Sequence, residues 1–519
     1  MNLTAKYTKY GKTKLVWLSV FVFACFVCFA VQNSPAADFA VLKPDTFAHH
    51  IEKFNAMEDE NITNFISNAD SWSWLQKAIP FFECPDKDVE EIYYFRWWSF
   101  RKHLEQTTNG FVFTEFLTKP QPISSALGFH IAEGRWLHDQ NFLDDYIRYW
   151  LCDDNNRQQL HKYSQWLDDA LWQRCLVNGD QKFPGALLDA LVADYRQWES
   201  EHQTTNGLFW QFDVRDAMEE SISGSRTNKN LRPTINSYMF GNAQAIAKIA
   251  RFAGNKKLAA EFDAKAAQLK KLTEQTLWND DAKFFEVVHT NGNFSNVREQ
   301  IGFIPWMFGL ADDKKFSAAW SQLTDPQGFA APAGITTAER RSPQFRTHGV
   351  GHCEWDGAVW PFATCQTLYA LANFLRDYKQ SVVTKENYFD VFLTYVHCQH
   401  ADGKPYIGEY LDETTGQWIN GKAGRSRYYN HSTFADLVIT GVAGLVPRAD
   451  NRVEISPLLP DGAWNYFCLD GVNYHGHTLT IFWDADGSRY GRGKGLFVLA
   501  DGKEIARGNK LSKLTGKLP

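Results

Sequence analysis

The sequence has no surplus of positive charge and no basic cluster. Its 519 residues contain 54 Lys and Arg against 60 Asp and Glu, which gives a formal net charge of −6. A protein that binds nucleic acid neutralises phosphates with a dense basic surface. We therefore expect no nucleic-acid partner.

Several motifs of nucleotide, serine and zinc chemistry are also missing. The chain has no G-x-x-x-x-G-K-[ST] phosphate loop, no G-x-G-x-x-G after a strand, no G-x-S-x-G elbow and no H-E-x-x-H pair. These absences disfavour nucleotide-driven enzymes, serine hydrolases and zincin proteases.

Charge is absent from one stretch near the N-terminus, residues 15–31, which is apolar throughout and follows Lys6, Lys9, Lys12 and Lys14. A small polar stretch, QNSPAAD, comes next. This order predicts that residues 1–34 are a signal peptide or a single N-terminal membrane anchor, and both alternatives stay open. We expect an exported protein that is periplasmic, secreted or anchored at the cell surface, with membrane contact only through this segment.

Aromatic residues, in contrast, are abundant, with 19 Trp, 20 Tyr and 39 Phe. Tryptophan is costly to bury whole because its N–H group needs a partner. The excess favours a large cleft lined with aromatic rings, although large helical barrels also use tryptophan as filler.

Helical periodicity dominates the chain up to about residue 445. Ala243, Ile246, Ala247 and Ala250 are spaced for one helix face, and after a break at Gly254 a second set follows, at Leu258, Phe262, Leu269 and Leu272. From residue 453 onward the pattern changes to alternating β-branched and aromatic runs separated by Gly and Asp. The sequence predicts a mainly α toroid at 35–447 and a small antiparallel β module at 448–519.

Carboxylates and aromatic residues occur together in three predicted loops, at 206–238, 348–362 and 403–434. The first contains Asp213, Asp216 and Glu219 shortly after Trp210. Aromatic planes stack on the C–H faces of sugars, while carboxyl groups bind hydroxyls or transfer protons. Glycoside hydrolysis needs two carboxyl groups flanking the bond, roughly 6.5–9.5 Å apart in an inverting enzyme. The three loops together predict a carbohydrate-active hydrolase.

The second loop has another interpretation. His348, His352, Cys353 and Glu354 have side chains that bind zinc. We favour a packing role for them, since the chain has few other His and Cys pairs at ligand spacing and sugar hydrolysis needs no metal. We expect neither metal nor cofactor.

Two motifs resemble those of six-hairpin glycosidases such as the trehalases (family 37) and the family 63 glucosidases. EWDGAVWPF at 354–362 resembles their W-x-G-P-x-W element, and IGEYLDETTG at 407–416 resembles the E-x-Y-D-x-x-T-G loop that supplies their general base. The resemblance implies an (α/α)6 barrel, inversion at the anomeric carbon, no cofactor, and Glu409 as the general base.

The general acid is less closely matched, because the family's S-G-W-D is absent. A loose match selects Asp216, with Asp213 as the alternative because it follows an aromatic residue. Tyr429 and His431 are further predicted to orient the base. The residues predicted to contact substrate are Trp210, Glu219, Arg226, Arg96, Trp98, Trp355, Asp356, Trp360, Arg427, Tyr429 and His431.

The predicted function is therefore an inverting glycoside hydrolase, similar to α-glucosidases and trehalases, that cleaves terminal bonds of an oligosaccharide or glycan. The missing S-G-W-D supports one alternative, a carbohydrate-binding protein that has lost its acid. A polysaccharide lyase, with Tyr429 or His431 taking the proton, is a further alternative. Lyases usually keep a basic cleft, and these loops are mainly acidic.

Overall fold

The computed structural model describes residues 40–118, 121–311, 314–347, 353–419, 424 and 426–519. The predicted signal or anchor segment lies outside these ranges. Within them, no helix has both the length and the apolar character that a membrane crossing requires.

Helices make up most of the chain before residue 443. The α-helices are α1 (Ala48–Asn55), α2 (Ser71–Ala78), α3 (Lys87–Lys102), α4 (Leu127–Gly134), α5 (Asn141–Leu151), α6 (Asp154–Leu160), α7 (Leu167–Asn178), α8 (Lys182–Ala186), α9 (Leu188–His202), α10 (Pro233–Phe252), α11 (Lys256–Thr276), α12 (Ile304–Met307), α13 (Pro361–Asp377) and α14 (Lys385–Cys398). Single 3-10 turns occupy Pro44–Phe47, Ser124–Ala126, Asp213–Arg215, Gln300–Phe303 and Ser317–Gln322, and a π-helix spans Leu437–Val442.

The helical hairpin predicted from periodicity is present as α10 and α11. Ala243, Ile246, Ala247 and Ala250 of α10 are all buried. The Asn255 side chain caps α11 by accepting the backbone N–H of Leu258, a typical N-cap contact. Burial of one stripe of each helix drives the pair together, since each large apolar side chain that becomes fully buried contributes roughly 1.5–3 kcal/mol.

An inner ring of helices forms the centre of the fold. In the described part of the chain it runs α4, α7, α10, α12, α13 and the π-helix, each packed against the next. The ring closes where the Glu133 carboxylate of α4 accepts the backbone N–H groups of Phe434, Ala435 and Asp436. Arg135 adds an ion pair to Asp436 at 2.7 Å. Helices α9 and α11 pack outside α10, and α14 outside α13. The predicted toroid is confirmed.

Strands complete the fold, and the longest of them follow residue 444. They are β1 (Phe81–Glu83), β2 (Leu104–Thr107), β3 (Gly110–Phe113), β4 (Trp210–Gln211), β5 (Asn230–Leu231), β6 (Trp278–Asn279), β7 (Phe284–Phe285), β8 (Ala330–Ala331), β9 (Gly334–Ile335), β10 (His400–Ala401), β11 (Lys404–Pro405), β12 (Leu445–Val446), β13 (Arg452–Ile455), β14 (Tyr466–Tyr474), β15 (His477–Asp484), β16 (Gly495–Ala500), β17 (Lys503–Gly508) and β18 (Leu514–Lys517).

The predicted C-terminal β module is present, and it includes one strand from far earlier in the chain. Its five-stranded antiparallel sheet has the order β1-β14-β15-β16-β17, with Phe81 paired to Asp470. The Asp470 carboxylate also accepts the backbone N–H groups of Val41 and Leu42, each at 2.7 Å. Residues near the start of the described chain therefore brace this sheet, which a boundary at residue 447 does not suggest.

Candidate active site

The three acidic loops lead into the N-termini of three inner helices. Residues 209–232 precede α10, residues 353–360 precede α13, and residues 426–436 precede the π-helix. Both α10 and α13 begin with proline, whose fixed φ suits a first helical turn. Since the N-terminus of a helix carries partial positive charge, this end of the ring stabilises nearby carboxylates.

Asp213 lies on the 3-10 turn at the start of the first loop. Its Oδ1 accepts the backbone N–H of Val214 at 2.7 Å. The other oxygen approaches Gly224 so closely that a Cβ there would lie 2.4 Å from it. Burial raises the pKa of Asp213, more than the Val214 hydrogen bond and the Arg232 and Arg226 charges lower it. Asp213 therefore holds its proton more readily than a solvent-exposed aspartate does.

Asp216 has a different environment. Its Oδ2 accepts from Arg232 Nε at 2.7 Å, and both side chains are fully buried. Arg232 immediately precedes α10, so this ion pair ties the loop to the helix N-terminus. A carboxylate engaged in this way is suited to holding the loop, which does not favour the predicted role of Asp216 as proton donor.

Glu219 connects the first loop to the other two. Its Oε2 accepts the indole N–H of Trp355 at 3.2 Å. The pKa of Glu219 is raised, first by burial and then by the negative charges of Glu409 and Asp213. Trp355 also packs against Tyr410, the residue after Glu409, with ring centroids 5.0 Å apart. Asp213 is tied to the same loop as Glu219, because its carbonyl accepts the backbone N–H of Met218 at 2.9 Å. The structure thus brings Asp213, Glu219 and Glu409 to one site.

Glu409 is held by the segment that follows it. Ser426 Oγ donates to Glu409 Oε2 at 2.9 Å, and the Tyr429 N–H donates to the carbonyl of Ile407 at 3.3 Å. His431 makes a hydrogen bond with the backbone of Gly408, the residue before Glu409. The predicted base is therefore fixed on both sides.

Tyr429 and His431 pack against each other, with ring centroids 3.8 Å apart. The Tyr429 hydroxyl donates to Glu115 Oε1 at 2.8 Å. Burial, helped by the charge of Arg96, holds the pKa of His431 well below its usual value. His431 is therefore a neutral imidazole next to the loop of Glu409. The orienting role of Tyr429 and His431 stays a prediction.

The tryptophans of the second loop form a stack. Trp355 lies 4.2 Å from Trp360 at an interplanar angle of 21°, and Trp360 lies 4.3 Å from Phe362 at 7°. Trp360 is thus covered on both faces by other rings. This packing favours structural roles for Trp355 and Trp360 over the predicted stacking on sugar, apart from the Trp355 contact with Glu219.

Trp210 is also surrounded by protein groups. The ammonium of Lys229 lies 4.4 Å from its ring centroid, and His202 and Phe212 lie 4.5 and 5.1 Å away. Trp210 lies shortly before Asp213 in the chain, but only 9% of the residue is exposed. Its surroundings favour bracing of the loop.

Arg96 and Trp98 are residues of α3 and are buried in the core of the protein. Arg96 donates to Glu133 and to Asn430 Oδ1, each at 2.7 Å, and is 1% exposed. Trp98 is 0% exposed and its indole N–H donates to Asn55 at 2.8 Å. Both positions are a correction to the predicted contact with substrate. Arg96 instead holds residues 430–432 in place by donating to the Asn430 side chain and to the carbonyl of Ser432.

The remaining predicted residues are positioned as follows. Arg226 is more than half exposed and pairs with Glu220 at 2.7 Å, and Arg427 pairs with Glu58 at 3.1 Å. Asp356 is fully buried, and its backbone carbonyl accepts from the Arg346 N–H. The hydrogen bond with Glu220 and the negative charges of Glu220, Asp213 and Glu219 raise the pKa of Arg226.

Sequence reasoning missed a cation that joins two of the loops. Arg346 pairs with Glu354 at 2.5 Å and with Glu413 at 3.0 Å. It also missed Glu115, the partner of Tyr429, and Ser426, the donor to Glu409. Ser426 could have been found from its position within the base loop, whereas no sequence pattern singles out Glu115 or Arg346.

Among the residues that the structure covers, no group of three or more His, Cys, Asp or Glu is placed to hold an ion. His348 and His352 of the alternative zinc interpretation lie outside the described residues.

Replacement of Arg232 tests the buried ion pair. We expect Arg232→Met to lower the free energy of unfolding by about 3–5 kcal/mol, because it leaves Asp216 as an uncompensated buried charge. Urea unfolding followed by tryptophan fluorescence measures the change. Arg232→Met combined with Asp216→Leu should recover part of the loss. Equal destabilisation by the single and double variants would contradict the pairing.

Two family models match parts of the chain. Residues 119–432 match the family model of the mannosylglycerate hydrolase MGH1-like glycoside hydrolase domain. The chain belongs to this glycoside hydrolase family. Residues 447–507 match the C-terminal domain of glycosyl hydrolase family 65. The resemblance to six-hairpin glycosidases that the sequence motifs indicate is thereby confirmed.

Solved structures support the same fold. A chain named sialidase shares 48% identity and a TM-score of 0.91 over 93% of this chain and 46% of its own length. The GH63 mannosylglycerate hydrolase from Thermus thermophilus, with Tris and D-glycerate, shares 12% identity and a TM-score of 0.50 over 68% of this chain and 98% of that one. The second likeness concerns the fold alone.

A curated relative is an uncharacterized protein from Borreliella burgdorferi, 22% identical over 36% of this chain. The chain spans less than half the length of this relative, 38%, and of the chain named sialidase, 46%.

Proposed function

We propose that the protein is an inverting glycosidase that releases a terminal sugar from an oligosaccharide or glycan. Asp213 is the general acid and Glu409 the general base. The observation that carries this proposal is the position of Trp355, whose indole N–H donates to Glu219 and whose ring packs against Tyr410, the residue after Glu409. These contacts support a single site that takes carboxyl groups from two remote loops.

The choice of Asp213 over Asp216 follows from their environments. A general acid has to be protonated before the bond breaks and able to reach the leaving oxygen. Burial raises the pKa of Asp213, whereas Asp216 is tied to Arg232 in a fully buried ion pair. Asp213 therefore satisfies the first requirement and Asp216 holds the loop.

Glu409 meets the opposite requirement. A general base has to be ionised, and the hydroxyl of Ser426 donates to one of its oxygens. A donated hydrogen bond and the nearby helix N-termini both stabilise a carboxylate.

In the proposed reaction Asp213 gives its proton to the glycosidic oxygen as the bond to the anomeric carbon breaks. Glu409 takes a proton from a water molecule, whose oxygen forms the new bond from the opposite face of the sugar. A second proton exchange with solvent restores both carboxyl groups. Glu219 binds a substrate hydroxyl and couples electrostatically to the other two acids.

This coupling predicts a pH effect of Glu219→Gln. Two interacting carboxyl groups lose their protons in two steps, and the second loss is shifted to higher pH by the first charge. Since activity requires the acid to be protonated, it falls as pH rises through that second step. Removing Glu219 should therefore move the alkaline limb of kcat/KM to lower pH.

The pH profile of kcat/KM for wild type and Glu219→Gln, on the same substrate, measures this shift. Glu504→Gln, which changes an exposed carboxylate on β17 far along the chain from the site loops, is the control and should leave the limb in place. An unchanged alkaline limb in Glu219→Gln would show that Glu219 and the acid titrate independently.

A glycan screen tests the function itself. The purified protein is incubated with neutral oligosaccharides and with aryl glycosides of both anomers, and proton NMR follows the first product. We expect a released monosaccharide whose first anomer is opposite to that of the substrate. Retention of the anomer would overturn the mechanism, an unsaturated product absorbing in the ultraviolet would favour a lyase, and binding without release would favour a non-catalytic sugar-binding protein.

A further inference from the structure

A second polar cavity lies at the other end of the inner ring. It has a volume of about 550 Å³ and is bordered by α7, α10, α11, α12 and α13. Lys248 is near the end of α10 and Asn373 near the end of α13, whereas the catalytic loops precede the first turns of the same helices. The helices therefore separate this space, which we call the rear cavity, from the three site acids.

The rear cavity continues towards the middle of the ring. A smaller space of about 170 Å³ shares Asp169, Gln173, Met307 and Asn373 with it. Two adjoining spaces of these sizes have the volume of a small-molecule site, which typically measures roughly 300–1,000 Å³.

Polar groups in the rear cavity are not fully used by the protein. The Lys248 ammonium, which is half-buried, has no hydrogen bond or ion pair with any residue that the structure describes, and its nearest aromatic contact is Trp172 at 5.8 Å. The Gln244 amide likewise has no partner among the described residues. Both side chains are only partly buried, so these donors can bind an external ligand or water.

Acceptors face the same space. Burial raises the pKa of Asp169, and the charge of Lys248 partly offsets this effect. The Asn373 amide nitrogen donates to the carbonyls of Trp306 and Met307 at 3.2 and 2.8 Å. This anchoring fixes the amide oxygen, which no described group contacts, at the cavity wall.

The charges of the rear cavity balance. Asp169 and Asp377 oppose Lys248 and Lys270, so this lining favours neither sign of charge. In the adjoining smaller space Arg135 pairs with Asp436, and Arg376 donates to the backbone carbonyls of Ser456 and Thr440. The wall also has apolar surface from Met307, Phe308 and Tyr378. A mixture of donors, acceptors and aromatic or thioether surface is complementary to a molecule with many hydroxyls and an apolar C–H face.

We propose that the rear cavity is a second carbohydrate site, which binds a neutral mono- or disaccharide through Asp169, Gln244 and Lys248. It is separate from the catalytic acids, so sugar can bind there while substrate is turned over. The proposal does not depend on the assignment of the general acid and base.

Amide hydrogen exchange on the full chain locates this binding. The probes are methyl α-glucoside, methyl α-mannoside, methyl β-galactoside and maltose, with glucuronate and glucosamine as charged counterparts. We expect at least one neutral probe to slow exchange in residues 244–252 and 304–311. No protection by any neutral probe, or stronger protection by a charged counterpart, would overturn the proposal.

Two variants and a matched control assign the effect to the cavity. Asp169→Asn and Lys248→Met should each weaken the affinity for the protecting probe about tenfold, the effect expected for loss of a hydrogen bond to a charged group. Lys257→Met, on the exposed surface of α11, should leave it unchanged. Because neither Asp169 nor Lys248 is near the site acids, kcat/KM should stay at the wild-type value, which separates this test from that of the proposed function.

A cavity-filling variant covers the case in which the charge changes impair folding. Gln244→Trp occupies the space without removing a charge, and circular dichroism checks that it folds. We expect it to abolish protection of residues 304–311 by the sugar. Protection that persists in Gln244→Trp would place the binding elsewhere and overturn the proposal.

Discussion

Glu409→Gln should lower kcat by about 10²–10⁴-fold, the usual contribution of general acid–base catalysis. The amide has nearly the same shape but cannot take a proton from water. It can still accept from Ser426, as the carboxylate does at 2.9 Å, so the base loop should keep its position. Steady-state rates on the oligosaccharide identified by the screen, with binding measured separately by calorimetry, check both statements.

The control for this variant is Glu386→Gln, an exposed carboxylate on α14. It should leave kcat, KM and the unfolding midpoint unchanged. If Glu409→Gln kept the wild-type rate, Glu409 would not be the base. If it lost sugar affinity together with thermal stability, its effect would be one of folding.

The loop that carries Glu409, the proposed base, can be singled out from the sequence because its pattern is local. A carboxylate beside aromatic residues, followed by T-T-G, can be recognised within ten residues. The α10–α11 hairpin was predictable for a similar reason, since helical periodicity depends only on neighbours a few positions apart.

Features that depend on distant partners were not predictable. Asp213 and Asp216 differ in environment because Arg232 pairs with Asp216. Arg232 is separated from Asp216 by a loop whose sequence shows no regular pattern. The stacking of Trp355, Trp360 and Phe362 determines which ring faces are covered. The spacing of these residues in the sequence does not reveal it. The pairing of β1 with β14 joins residues nearly four hundred positions apart.

Asp213→Asn should lower kcat on the natural oligosaccharide by about 10²–10⁴-fold, because the leaving sugar oxygen then departs without a proton. The loss should be much smaller for a dinitrophenyl glycoside, whose leaving group is stable as an anion. The two rates, measured at one pH on the same enzyme preparation, give the ratio that identifies a general acid. The alkaline limb of the pH profile should also disappear, since it reports the deprotonation of Asp213.

The same pair of substrates separates the three candidate acids. Asp216→Asn should reduce stability, because it breaks the buried pair with Arg232, and its remaining activity should not depend on the leaving group. Glu219→Gln should weaken substrate binding and shift the pH profile. Should the dinitrophenyl substrate rescue Glu219→Gln and leave Asp213→Asn inactive, Glu219 would be the proton donor. Its raised pKa, from burial and from the charges of Glu409 and Asp213, would then serve catalysis directly, and Asp213 would be the group that holds it in its protonated form.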